Sequence, residues 1–155
     1  LDAHLSIPDN DSTGTLHLWY RTRSGKDYYI YVDADDNVTI DKDHKVKSDD
    51  NPWGAPPGDE TITITKVRSG TYSFSVHNAT DSDNLTANYK TNLLRSNAKV
   101  KVFYNKEGTL IRKRFYVPSR EGTLWRVFTF DSSRSGSGFT VVDNMSYLED
   151  AADIY

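Results

Sequence analysis

His4, His17 and His77 each fall in a short run where polar and apolar residues alternate, so each is expected on a strand with its ring on one defined face. Imidazoles facing one another across neighbouring strands can hold a transition metal; a hydrogen-bonded histidine at the sheet surface is the commoner arrangement. The acidic residues offer a second chemistry. Asp41 and Asp43 lie two apart, Asp49, Asp50 and Asn51 follow in the next loop, and Asp2 opens the first strand, from which it could approach. Such oxygens suit a hard cation, and calcium is the one cofactor the sequence suggests, none being required. The run Asp33-Ala-Asp-Asp-Asn37 begins like an EF-hand loop, but Val38 stands at the glycine position and His44 where a bidentate glutamate belongs, so that motif is excluded. The alternative is that these aspartates cap turns and keep loops soluble.

Aromatic residues supply a third possibility. Trp19, Trp53 and Trp125, with Tyr28, Tyr29 and Tyr31, could stack on the apolar face of a sugar. Trp53 is the best placed because it lies in a Pro/Gly loop, where it would otherwise anchor the loop to the fold. For covalent catalysis the chain has neither a Gly-X-Ser-X-Gly elbow nor a His-Glu-X-X-His pair, and Ser135-Gly-Ser-Gly138 is a flexible stretch without a base beside it. The expectation is that the chain is not an enzyme. Asn-X-Ser/Thr sequons occur at Asn10, Asn37, Asn78, Asn84 and Asn144; they matter only in an exported glycoprotein and lean toward export.

The elements that would position these residues are strands. Ile62 and Ile64 alternate with threonines, Tyr72, Phe74 and Val76 alternate with Thr71, Ser73 and Ser75, and Arg68-Ser-Gly70 between them is a turn cluster, which predicts a β-hairpin with one apolar face. Such a face must be covered by a second sheet. Further strands are expected near residues 2–7, 15–20, 28–32, 99–104, 109–117, 123–130 and 139–142, with Asn105-Lys-Glu-Gly108 turning one into the next. Residues 33–44 are acidic, 48–59 read as a loop, and 78–97 are polar and ambiguous. The pattern predicts an all-β protein, an antiparallel β-sandwich of Ig-like or jelly-roll-like kind with roughly nine or ten strands. One domain is expected over residues 1–147, with 148–155 as a tail or linker.

A chain of 155 residues is long enough to bury a core. Its net charge of −3 is small and interspersed, and the cations Arg112, Lys113 and Arg114 read as a solvated strand face, so no nucleic-acid partner is expected. Cysteine is absent, which excludes disulfides and thiolate metal sites. No apolar run has transmembrane length, so membrane insertion is not expected. Leu1 is not an expected translation start, so the chain reads as a processed product or a slice of something longer.

In order along the chain, Leu1-Asp-Ala-His-Leu5, His17-Leu-Trp-Tyr20, Ile40-Asp-Lys-Asp43, Trp53-Gly-Ala-Pro56, Glu60 to Ile64, Gly70 to Asn78 and Trp125-Arg-Val-Phe128 resemble the motifs of the YfaP-like bacterial domain family. The chain departs from that pattern at His44, where the family has an acidic residue, and its first Asp would precede Leu1. The resemblance implies a secreted, cell-surface or periplasmic β-sandwich module, often one unit of a longer surface protein, without an assigned reaction. The expected function is a noncatalytic structural or interaction module of an adhesive or filament-forming protein, with other modules or copies of itself, or surface glycans, as partners. The alternatives are a carbohydrate-binding module using Trp53 and Trp19, and an accessory domain of an exported hydrolase.

Overall fold

Alternation of side chains decides most of the secondary structure, because one face of each strand has somewhere apolar to go. The computed structural model describes residues 1–8, 15–19, 29–33, 36–42, 60–78, 89–134, 138–148 and 154, with backbone alone for 29–33 and 36–42. Among these residues the strands are β1 (Asp2–Pro8), β2 (Thr15–Leu18), β3 (Tyr29–Asp33), β4 (Asp36–Lys42), β5 (Thr61–Ile64), β6 (Thr71–His77), β7 (Lys99–Lys106), β8 (Thr109–Tyr116), β9 (Leu124–Asp131) and β10 (Phe139–Ser146). A 3-10 turn at Tyr89–Thr91 leads into one turn of α-helix, Asn92–Arg95, which delivers Leu93 into the core. The fold is mostly antiparallel β, as the alternation predicts. No helix among the described residues is long and apolar enough to cross a membrane.

The strands form a five-stranded sheet in the order β10-β9-β6-β1-β2, a three-stranded sheet β3-β4-β5, and the two-stranded ribbon β7-β8. Register brings Leu5 opposite Leu18 and Phe74, Phe74 opposite Phe128, and Tyr72 opposite Phe130, so one face of the large sheet is continuous hydrocarbon. At one end Ile62 and Ile64 of β5 pack on Leu5, Ile7, Leu18 and Tyr72. At the other, Val100, Val102 and Phe115 of β7 and β8 pack with Val76, Trp125, Val127 and Phe128. An extra residue on β9 between the partners of Phe74 and Ser75 makes a bulge, and there both Val127 and Phe128 are buried.

The stretch expected to be a β-hairpin is not one. β5 pairs with β4, and β6 pairs with β1 and β9, so residues 65–70 carry the chain from one sheet to another. The apolar faces of β5 and β6 meet across the core, where Ile62 and Ile64 lie against Tyr72 and Phe74, instead of side by side in one ladder. A period of two fixes which side chains turn inward but is indifferent to which edge supplies the ladder partner. The crossing is held locally. Tyr72 Oη accepts from the Arg68 N–H at 2.6 Å and donates to the Arg68 carbonyl at 3.2 Å, while Ser132 Oγ accepts from the Gly70 N–H at 3.0 Å. Gly70 takes φ +130°, and a Cβ there would meet Pro8 Cγ at 2.8 Å, so glycine is required on two counts.

The acidic segment Asp36–Lys42, which shows few large apolar residues, is a strand lying between β3 and β5. The β7–β8 turn forms as expected. Glu107 and Gly108 both have positive φ, at 51° and 81°, the two-residue geometry that matches strand twist, and Asn105 Oδ1 accepts from the Gly108 N–H at 2.8 Å.

Candidate functional site

The second face of the five-stranded sheet is largely polar, and its middle, on β1 and β6, is nevertheless buried. Register places Asp2 opposite His77, His4 opposite Ser75, and Ser6 opposite both Ser73 and His17, so His4 stands diagonally between His17 on β2 and His77 on β6. His4 is 1% exposed and His77 0%, and Ser6 and Ser75 are buried with them. The His4 ring centroid lies 5.1 Å from that of His17, 5.7 Å from that of His77 and 5.6 Å from that of Trp19, whose indole stacks on His17 at 5.5 Å and 3°. The three histidines of the sequence pattern therefore do come together.

Hydrogen bonding sets their proton positions. His4 Nδ1 and His17 Nε2 are 2.9 Å apart, so one donates to the other. Whichever ring accepts must be neutral, because only an unprotonated ring nitrogen has a lone pair to offer. His77 Nε2 lies 3.3 Å from the Leu148 carbonyl, which can only accept, so Nε2 carries the proton. Burial first, and then the nearby His17 and His77, lower the His4 pKa from 6.5 to about 3, and burial lowers that of His17 too. His4 Nε2 is buried without a hydrogen-bond partner, a cost of about 1–3 kcal/mol.

Residues near the C-terminus close this face. Thr123 Oγ1 accepts from the Leu148 N–H at 2.8 Å and donates to the Leu148 carbonyl at 2.9 Å, and Ile154 is buried against Trp19 and Leu124, with Leu148 alongside. Two residues of the segment expected to be a tail or linker thus pack against the sheet. Trp19, at 8% exposure, has one indole face on His17 and sits in this cluster, so it does not stand out as a sugar platform. Trp125 is fully buried and donates from Nε1 to Asp143 Oδ1 at 3.0 Å. Trp53 lies outside the described residues.

The acidic metal-ligand candidates fall only in part on the described residues. Asp2 is on β1 and Asp41 on β4, while Asp43, Asp49 and Asp50 lie outside the described residues. Among the described residues no group of three or more His, Cys, Asp or Glu is placed to hold a metal ion. Of the sequons, Asn78 is buried with its N–H donating to the Thr123 carbonyl, Asn144 is exposed on β10, and Asn37 lies in β4. Asn10 and Asn84 lie outside the described residues.

A site of another kind lies on the outside of the β7–β8 ribbon. Lys99, Lys101, Phe103 and Asn105 on β7, with Leu110, Arg112, Arg114 and Tyr116 on β8, are exposed, while the alternate residues face the core. Register sets Lys101 opposite Arg114, Phe103 opposite Arg112 and Lys99 opposite Tyr116. Lys113, adjacent to two of these cations in sequence, turns the other way and lies 5.2 Å above the Phe139 ring. The cluster Arg112-Lys-Arg114 is therefore split, and its outward members are joined by two lysines from the neighbouring strand.

Compared with models of protein families, curated proteins and solved structures, the chain matches none.

Proposed function

We propose that the chain is a noncatalytic interaction module of an exported surface protein, a YfaP-like β-sandwich that works as a structural unit in an adhesive or filament-forming assembly. In this reading the small sheets and the large one are the two layers, with Ile62, Ile64, Val100, Val102 and Phe115 closing on the large sheet. The observation that carries the proposal is where the polar chemistry lies. His4 and His77 are buried and His17 half-buried, and His4 is held neutral by its burial, close to Leu148 and Ile154, whereas the exposed β7–β8 face gathers cations and aromatic rings of the kind enriched at binding surfaces. Protein modules, further copies of the chain and surface glycans are the partners this reading admits, and no cofactor is required.

Fractionation of the source cells tests it, with protease treatment of intact cells and an antibody against the chain. Recovery in the medium or in the protease-accessible surface or periplasmic fraction supports the proposal, and recovery confined to the cytosol overturns it.

A further inference from the structure

We propose that the outer face of the β7–β8 ribbon binds a linear acidic polysaccharide, its carboxylates or sulfates held by Lys99, Lys101, Arg112 and Arg114 and its sugar rings lying against Phe103 and Tyr116. This deepens the reading of the chain as an exported interaction module and rests on it. No acidic residue shares the face, and no ion pair engages any of the four cations among the described residues. Lys101 and Arg114 sit directly opposite in the ladder, an arrangement that repels and that an anionic ligand would relieve. Phe103 and Tyr116 are each 59% exposed and Leu110 54%, large apolar surfaces within a cationic field.

Geometry favours an extended, ribbon-like occupant. Same-face residues recur about every 6–7 Å along a strand, and the face runs about 20 Å from Lys99 to Asn105. Arginine presents a planar fork suited to carboxylate or sulfate oxygens, and an aromatic ring beside it buries the apolar side of a sugar. Charge distribution separates this ligand from nucleic acid. The four cations set aside, the rest of the chain carries a net −7 against −3 for the whole, so the dense charge of a nucleic-acid backbone meets repulsion beyond the ribbon. A polysaccharide with about one charge per sugar depends on the short-range contacts that this face supplies.

The test measures binding of the purified chain to polygalacturonate at physiological salt, beside an uncharged polysaccharide, a single-stranded DNA and sedimentation of the chain alone. The expected result is binding to the polyuronate and not to the uncharged polymer, weakened about tenfold or more by Arg114→Glu and several-fold by Phe103→Ala. Arg95→Glu makes the same charge change at an exposed position on the helical turn and leaves binding unchanged. Unchanged melting of each variant assigns the effect to the surface. The proposal is overturned by failure of the wild type to bind, by equal losses with Arg95→Glu, by DNA binding of equal strength, or by self-association abolished by Arg114→Glu. A cytosolic location in the fractionation experiment would sink the exported reading while leaving the measured polyuronate affinity as it stands.

Discussion

The two faces of the five-stranded sheet share almost no chemistry, although both bury residues at their centre. One is hydrocarbon throughout, closed by Ile62 and Ile64 at one end and by the inner residues of β7 and β8 at the other. The opposite face buries His4, Ser6, Ser75 and His77, closed in part by Trp19, Leu148 and Ile154. Burial stabilises the first face directly, because hydrocarbon leaves water. The same burial on the second face is favourable only while His4 remains uncharged. The sheet therefore has one face whose contribution should be nearly independent of pH and one that should be sensitive to it.

The largest effect is expected on the hydrocarbon side. Trp125→Ala removes a fully buried indole packed near Val76 and Phe128 and its bond to Asp143, and should cost about 3–5 kcal/mol in urea denaturation, similarly at pH 7.5 and pH 5. The imidazole side should behave otherwise. His4 binds its proton at about 3 in the folded protein and near 6.5 in the unfolded chain, so the unfolded state takes up more protons between those values. Stability is thus full above pH 6.5 and falls as the pH drops through that window, by about 1.4 kcal/mol per pH unit for this one group. A loss of about 2 kcal/mol between pH 6.5 and 5, flattened in His4→Gln, is the expected outcome of urea titrations. A slope unchanged by the substitution would assign the acid sensitivity elsewhere.

Smaller effects divide the faces further. Thr123→Val keeps the shape of a buried side chain but withdraws both of its bonds to Leu148, and should cost about 1–2 kcal/mol. Hydrogen exchange at Leu148 should quicken more than at Phe128, since only the terminal closure loses a bond. Arg114→Ala, on the outer ribbon, should change stability by less than about 0.5 kcal/mol, because relief of the repulsion from Lys101 offsets the lost packing of its stem. A penalty near that of Trp125→Ala would show that the ribbon face is structural.

Much of the hydrocarbon face was legible in the sequence, since Tyr72, Phe74 and Val76, and Val100 and Val102, alternate without interruption, and all of them turn toward the core. What alternation could not convey was pairing. The six residues between β5 and β6 are compatible with a hairpin and with a crossing between sheets, and only the competition for edges set by β1, β4 and β9 decides it. The histidine cluster was hidden for the same reason: each ring had a face, but the order β6-β1-β2 that makes those faces one is a property of the whole sheet. Strand β4 was obscured by its aspartates, because its ladder bonds to β3 and β5 come from backbone groups. On the ribbon the signal was present: strict alternation already separates Lys113 from Arg112 and Arg114, and only the pairing with β7 was needed to add Lys99 and Lys101.

The contrast between the faces rests on a His4 imidazole that stays uncharged inside the fold. Titration of the histidine side chains by NMR, following ring resonances of the folded chain from pH 8 to pH 4, measures this directly. His4 should hold the neutral form across that range, with a pKa about 3. A His4 resonance that titrates near pH 6.5 while the protein remains folded would contradict the burial, the bond to His17 and the pH dependence derived from them.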